Sequence, residues 1–485
     1  MNRSICLFLT IMVLGLIITG CSASSPTQAT PNEFSSAAAS SQESEPVALT
    51  VYVERGSIDG APPPPLMQAL SKFEEQNPQI KITYETPPAG FNDSAEREAI
   101  IARLNTEIMA GKGPDLFILE NIRVTNFNLF PDIEKAIRNG AFYDLTKELA
   151  KNGVEREDFV EGLFEGGQYE GAQYVVPLSF STLCALADQN QLLESGFDPE
   201  AAQADTAAFF AELRRLNSQR PLKLYLNADL TTNMELPMLD YDAVKVNLDR
   251  PETIAMLELE QDVFLDQWNT HGLLDIHSID FAKEMGAGDP FMMIMTWPVT
   301  VNAAWQLAAN GAVPWMMAVP NETGHVTAML ESYGIVNSNT EHPTEAAALL
   351  AYLLSEECQR AGAYPMSQIS FPVRKGCVED ALSAIQKYLK NPEWTLEATS
   401  DDRAELQALY GAPLPQQTIA QLEDTFEQIS AVRFHPIWET SVQLGTDEDG
   451  NQLISSTMEK WIWGEISIDD FLETLQPRLE FYLDE

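Results

Sequence analysis

The sequence predicts an α/β fold built on a mostly parallel sheet, and three observations carry that expectation. Strand-like and helix-like segments alternate between residues 49 and 119, the spacing of βαβ units. A window from Pro290 to Asn321 holds no charged residue in a chain that is 21% charged, which fits a buried strand, helix and strand. A capped amphipathic helix closes the chain.

The elements follow in order. Leu49-Thr50-Val51-Tyr52-Val53 reads as a buried strand, and Pro62 to Pro65 as a loop. A helix then carries Leu66, Leu70 and Phe73 on one face until Asn77-Pro78 ends it. Ile80 to Tyr84 alternates apolar and polar side chains as a second strand. A helix over about residues 95–109 places Ile100, Ile101, Leu104 and Ile108 on one stripe, and Gly111-Lys112-Gly113-Pro114 stops it. Leu116 to Leu119 is the third strand. Later strands are expected at 174–177, 222–226 and 292–295, with helices near 200–216, 251–268 and 343–359. In the last helix Ser467 and Asp470 can form a capping box, and Ile468, Phe471, Leu472, Leu475, Leu479 and Tyr482 make one apolar stripe. Trp305 and Trp315 are expected in the core.

The N-terminus reads as an address. Arg3 precedes a 14-residue apolar run from Ile5 to Ile18, short of the roughly 20 residues that span a bilayer. Thr19-Gly20-Cys21 then resembles the lipobox of bacterial lipoproteins, which implies that residues 1–20 are a signal peptide and that Cys21 is diacylated. The Ser-, Ala- and Pro-rich stretch up to residue 47 cannot bury enough apolar surface to order itself. As a coil it would reach roughly 25 to 30 Å on average, a tether at the outer face of the cell membrane.

Composition excludes several classes. A formal net charge of −43 with no basic stripe argues against nucleic acid as a partner. Cys184, Cys358 and Cys377 do not make a disulfide framework, and Cys358 and Cys377 either pair or stay as buried thiols. His271, His277, His325, His342 and His435 lack metal-ligand spacing, so no metal is expected and no cofactor. There is no HExxH, GxSxG or P-loop pattern, so an enzyme is not expected.

Several segments together resemble the extracellular solute-binding proteins that serve carbohydrate-type ABC importers. Phe73-Glu74-Glu75-Gln76-Asn77-Pro78-Gln79-Ile80 is similar to that family's passage from helix to second strand. Arg103 to Leu116, with a helix ending on Gly and a strand after Pro114-Asp115, resembles its most recognisable stretch. Tyr174 to Ser179 and Tyr333 to Ser338 are similar to its two crossings between lobes, and Trp463 to Asp470 to its turn into the last helix. The resemblance implies a two-lobed, type II periplasmic-binding-protein-like fold whose discontinuous lobes join at a hinge. Lobe one would take residues 48–178 and 334–390, lobe two 179–333 and 391–485. It further implies a monomer that closes on a small solute, a sugar above all, and passes it to ABC permease subunits.

Ligands in open α/β sheets sit beyond the carboxyl ends of strands. Glu54 and Arg55 follow the first strand, Glu120 and Asn121 the third, and Trp297 the uncharged strand, where the family often sets an aromatic against the sugar. Ser179 and Ser181 fall at the first crossing and Tyr333 at the second. Having Glu120-Asn121-Ile122-Arg123 after the third strand, where some relatives place an aromatic and an acid, points to a solute other than a long linear oligosaccharide. Two other classes share these features: a secreted carbohydrate-active hydrolase, and a lipoprotein that signals to a membrane sensor.

Overall fold

The computed structural model describes residues 46–54, 64–87, 94–120, 129–130, 132–220, 222–227, 230–271, 291–295, 299–365, 370–389, 412–434, 444–447 and 452–484. Cys21, Arg55, Asn121, Trp297, His277 and His435 lie outside them.

Two sheets organise the chain. The larger, of seven strands, uses β1 (Val47–Val53), β2 (Ile80–Glu85), β3 (Leu116–Glu120), β4 (Val175–Thr182), β9 (Val326–Val336), β10 (Phe371–Pro372) and β11 (Ile429–Arg433). Its order is β10-β4-β9-β3-β1-β2, with β11 also on β9. The smaller sheet runs β8-β5-β7-β6, from β5 (Cys184–Asp188), β6 (Lys223–Asn227), β7 (Phe291–Met295) and β8 (Pro314–Ala318). The α/β expectation holds, but the large sheet is mixed. Strand β1 lies parallel to β2 and β3 as the βαβ spacing predicts, whereas β9 is antiparallel to both β3 and β4. The reason is that β9 returns from the smaller sheet and enters the larger one from its far end.

Chain order makes the two sheets neighbours. Strand β4 runs through Leu183 directly into β5, and a turn over residues 319–325 carries β8 back into β9. In the uncharged window, Met292 and Ile294 of β7 face one apolar core while Met293 and Met295 face another, so both sides of the strand are covered. That is why no charge is tolerated there. Helix α1 (Val299–Ala309) follows, and its Trp305 is 1% exposed. A third core joins Met238, Leu239, Val246 and Leu257 to Trp461 of α2 (Leu453–Ile462) and to Phe471, Leu475, Leu479 and Leu483 of α3 (Ile468–Asp484). The expected capping box is present: Ser467 Oγ accepts from Asp470 N at 3.1 Å, and Ser467 N donates to Asp470 Oδ2 at 3.2 Å. Cys184, Cys358 and Cys377 are buried free thiols.

Candidate functional site

The strand ends of the large sheet meet at one place. Along one edge of β9, Ser332 pairs with Glu120 at the carboxyl end of β3, and Met329 pairs with Arg433 at the carboxyl end of β11. Two strands thus end head to head, three residue steps apart along β9, or about 10 Å. A break in a sheet edge where carboxyl ends converge is where an open α/β sheet leaves room for a ligand.

Behind this break lies a buried polar belt, and it holds most of the residues picked from the sequence. Glu54 is 1% exposed; its Oε1 accepts from Arg97 Nη2 at 2.8 Å and from the Tyr52 hydroxyl at 3.2 Å. Burial pushes its carboxyl up to about 7, with the Arg97 charge working in the opposite direction. Glu120 is also buried, and its charge lifts Glu54 further. Ser179 and Ser332 share a hydrogen bond of 2.6 Å between hydroxyls, and Ser181 donates to Glu331. Tyr333 stands edge-on to Phe434 with ring centroids 5.4 Å apart. The structure therefore gathers Glu54, Glu120, Ser179, Ser181 and Tyr333 around neighbouring strand ends of the sheet.

Other residues line a cavity of about 240 Å³ at the carboxyl end of β11, with Val432, Arg433 and Phe434 among them. One wall is α4 (Ile133–Arg138) with its preceding Asp132, together with Glu165, Gly166, Gln168 and Tyr169. Thr231, Thr232 and residues 237–242 complete the lining. The chemistry is planar acids and guanidinium groups set among aromatic rings.

Its charges are positioned by the fold. The Asp132 carboxylate caps α4 by accepting from Lys135 N at 2.8 Å, and takes the hydroxyls of Tyr241 at 2.7 Å and Tyr482 at 2.5 Å. Next to it, burial and then the Asp132 charge push the Glu134 carboxyl up to about 8, against the pull of Arg433. Arg433 donates to the carbonyls of Val432 at 2.8 Å, Met234 at 2.7 Å and Glu235 at 2.5 Å. Burial lowers its pKa to about 10 even though Glu134, Glu322, Glu235 and Asp240 favour the charged form. Beyond the Val432–Arg433 ridge a more open space of about 690 Å³ is bordered by Glu235, Glu252, Glu322 and Arg250.

Sequence reasoning missed Asp132, Glu134, Tyr241 and Arg433. For Asp132 a signal exists, an acid directly before a short helical segment, the pattern of an N-cap. Nothing local marks the other three.

A profile of the family described as bacterial extracellular solute-binding protein matches residues 68–393. No curated protein matches the chain. Among solved structures, the chain is similar to the sugar-binding protein MalE from the phytopathogen Xanthomonas citri, with a TM-score of 0.59 at 15% identity over 90% of this chain and 98% of that one. It is also similar to an extracellular solute-binding protein family 1 from Alicyclobacillus acidocaldarius, at TM-score 0.55 and 13% identity, covering 91% and 100% of the two chains. UgpB from Mycobacterium tuberculosis, solved in complex with glycerophosphocholine, gives TM-score 0.53 at 15% identity over 91% and 99%. At such identities the likeness carries the fold, which is the two-lobed, periplasmic-binding-protein-like α/β architecture.

Proposed function

Because the chain belongs to the bacterial extracellular solute-binding proteins, we propose that it captures a small sugar between its lobes and delivers it to the membrane subunits of an ABC importer. The observation that carries this reading is the lining of the 240 Å³ cavity. The carboxyl groups of Glu134, Asp240 and Asp242 and the guanidinium of Arg138 are planar groups that bond adjacent hydroxyls. Tyr169, Tyr241 and Phe434 put aromatic rings in the same lining, the kind of group that packs on the C–H face of a sugar. A volume below the roughly 300 Å³ at which drug-sized pockets begin suits one or two rings over a long chain. That agrees with the departure after the third strand.

In this reading residues 48–178 and 334–390 form one jaw and 179–333 with 391–485 the other. Solute touching both jaws favours the closed form by its differential affinity for it. Arg55, Asn121 and Trp297 add contacts from strand-end loops, while Glu54, Glu120, Ser179, Ser181 and Tyr333 hold the wall from behind. A diacylated Cys21 and its tether keep the body at the outer membrane face.

A thermal-shift screen of the purified protein against sugars, amino acids and short peptides tests the reading. A sugar at a hundred times its Kd should add about 2.7 kcal/mol of stability. Hits confined to amino acids or peptides reject the sugar, and turnover of a glycan rejects a binding protein in favour of a hydrolase. A sugar affinity untouched by Trp297→Ala removes Trp297 from the grip.

A further inference from the structure

We propose that Asp132 is the latch of the two-lobed body, a positioning residue whose single carboxylate holds the cleft shut. The inference rests on the two-lobed fold and is independent of which solute is carried.

Its partners come from different parts of the molecule. Asp132 leads into α4, whose Ile133 and Ile137 are buried in the core of the large sheet. Tyr241 and Tyr482 instead pack against the third core, with Met238, Leu239, Leu475 and Leu479. Each tyrosine hydroxyl donates to Asp132 Oδ2, across sequence separations of 109 and 350 residues. Lys135, one turn along α4, donates to the Tyr482 carbonyl and sets its ammonium 3.7 Å from the centroid of the Tyr482 ring.

The chemistry suits a reversible contact. One carboxylate oxygen has lone pairs for both hydroxyls, while the other stays with the backbone of its own helix. Tyrosine is rigid beyond two torsions, so both hydroxyls reach Oδ2 only in one relative placement of the two cores. Asp132 and Tyr241 both line the cavity, so making or breaking their bond changes its lining. Once parted, all these groups can be hydrated, so the latch is released without stranding a buried charge.

The test needs no solute. Spin labels on Lys147→Cys and Glu459→Cys, both exposed and on the two sides of the contact, give the distance distribution of the full-length protein. Asp132→Asn keeps a good helix cap while weakening the acceptor, and a Tyr241→Phe/Tyr482→Phe double variant removes only the donors. Both should lower the ratio of short to long distances at least tenfold, the effect of losing one hydrogen bond to a charged group. A wild-type protein with no short-distance population overturns the proposal. So does a double variant that keeps the wild-type distribution, including one whose melting temperature falls, because the contact is then only structural. Failure of every sugar to bind would reject the cargo and leave this result standing.

Discussion

Glu54 sits behind the end of β1 with Arg97 as its ion-pair partner, and the desolvation of that pair makes it pH-sensitive. Its folded pKa of about 7 lies above the ordinary glutamate value of 4.5, so between those values the folded state binds more protons than the unfolded one. Stability from this group is therefore complete below about pH 4.5 and is lost as pH rises through 7. Glu134 acts with the same sign up to about pH 8. Urea titrations from pH 5 to 8 should give a falling free energy of unfolding, and Glu54→Gln should flatten that fall; an unchanged slope would remove Glu54 from the account. Arg433 makes a different kind of prediction. Arg433→Ala leaves the Met234 and Glu235 carbonyls without their donor, which should cost about 2 to 3 kcal/mol in the same titration.

Most secondary-structure elements were legible, and where one was not the reason is tertiary. The sequence reads as one helix from Pro343 to Gln359, but the chain forms α5 (Pro343–Leu353) and α6 (Glu356–Arg360), with Ser355 as the cap of the second. The break turns Gln359 into the core, where its amide donates to the carbonyls of Leu178 and Leu353 at 3.2 Å and accepts from Val373 N at 2.8 Å. No periodicity in residues 343–359 can announce partners at 178 and 373. Gln359→Leu should therefore destabilise by roughly 2 to 3 kcal/mol despite its similar size, since it strands those backbone groups. A cost under about 0.5 kcal/mol would mean that water replaces the amide. The turn before β4 is constrained as closely: a Cβ at Gly167 would lie 2.2 Å from the Val175 carbonyl oxygen. Gly167→Ala should lower stability by about 2 kcal/mol through the shift it forces, readable as a lower urea midpoint.

Across the whole molecule, one apolar core links the sheets. It contains Val51, Phe117 and Ile335 of the large sheet together with Leu186, Met293 and Met316 of the small one. Shared burial of this kind couples the lobes in folding even if they hinge in function. Melts followed by tryptophan fluorescence and by far-ultraviolet circular dichroism should coincide. Two separate transitions would mean that the shared core breaks before either sheet does.

Strand positions, helix faces and the uncharged interior were readable because each depends on side chains two to four residues apart, within reach of local periodicity. The polar belt was partly readable, since Glu54 and Glu120 are placed by the ends of strands that the apolar runs already mark. By itself, then, the sequence determined the α/β elements, their order and the ends of the first and third strands. Only the tertiary structure decided that β3 and β11 meet head to head on β9, and that Asp132, Tyr241 and Arg433 converge around a cavity with Tyr482 bonded to Asp132. Those choices join residues up to 350 positions apart, and they follow from which strands share an edge, a matter of long-range packing that no local pattern encodes.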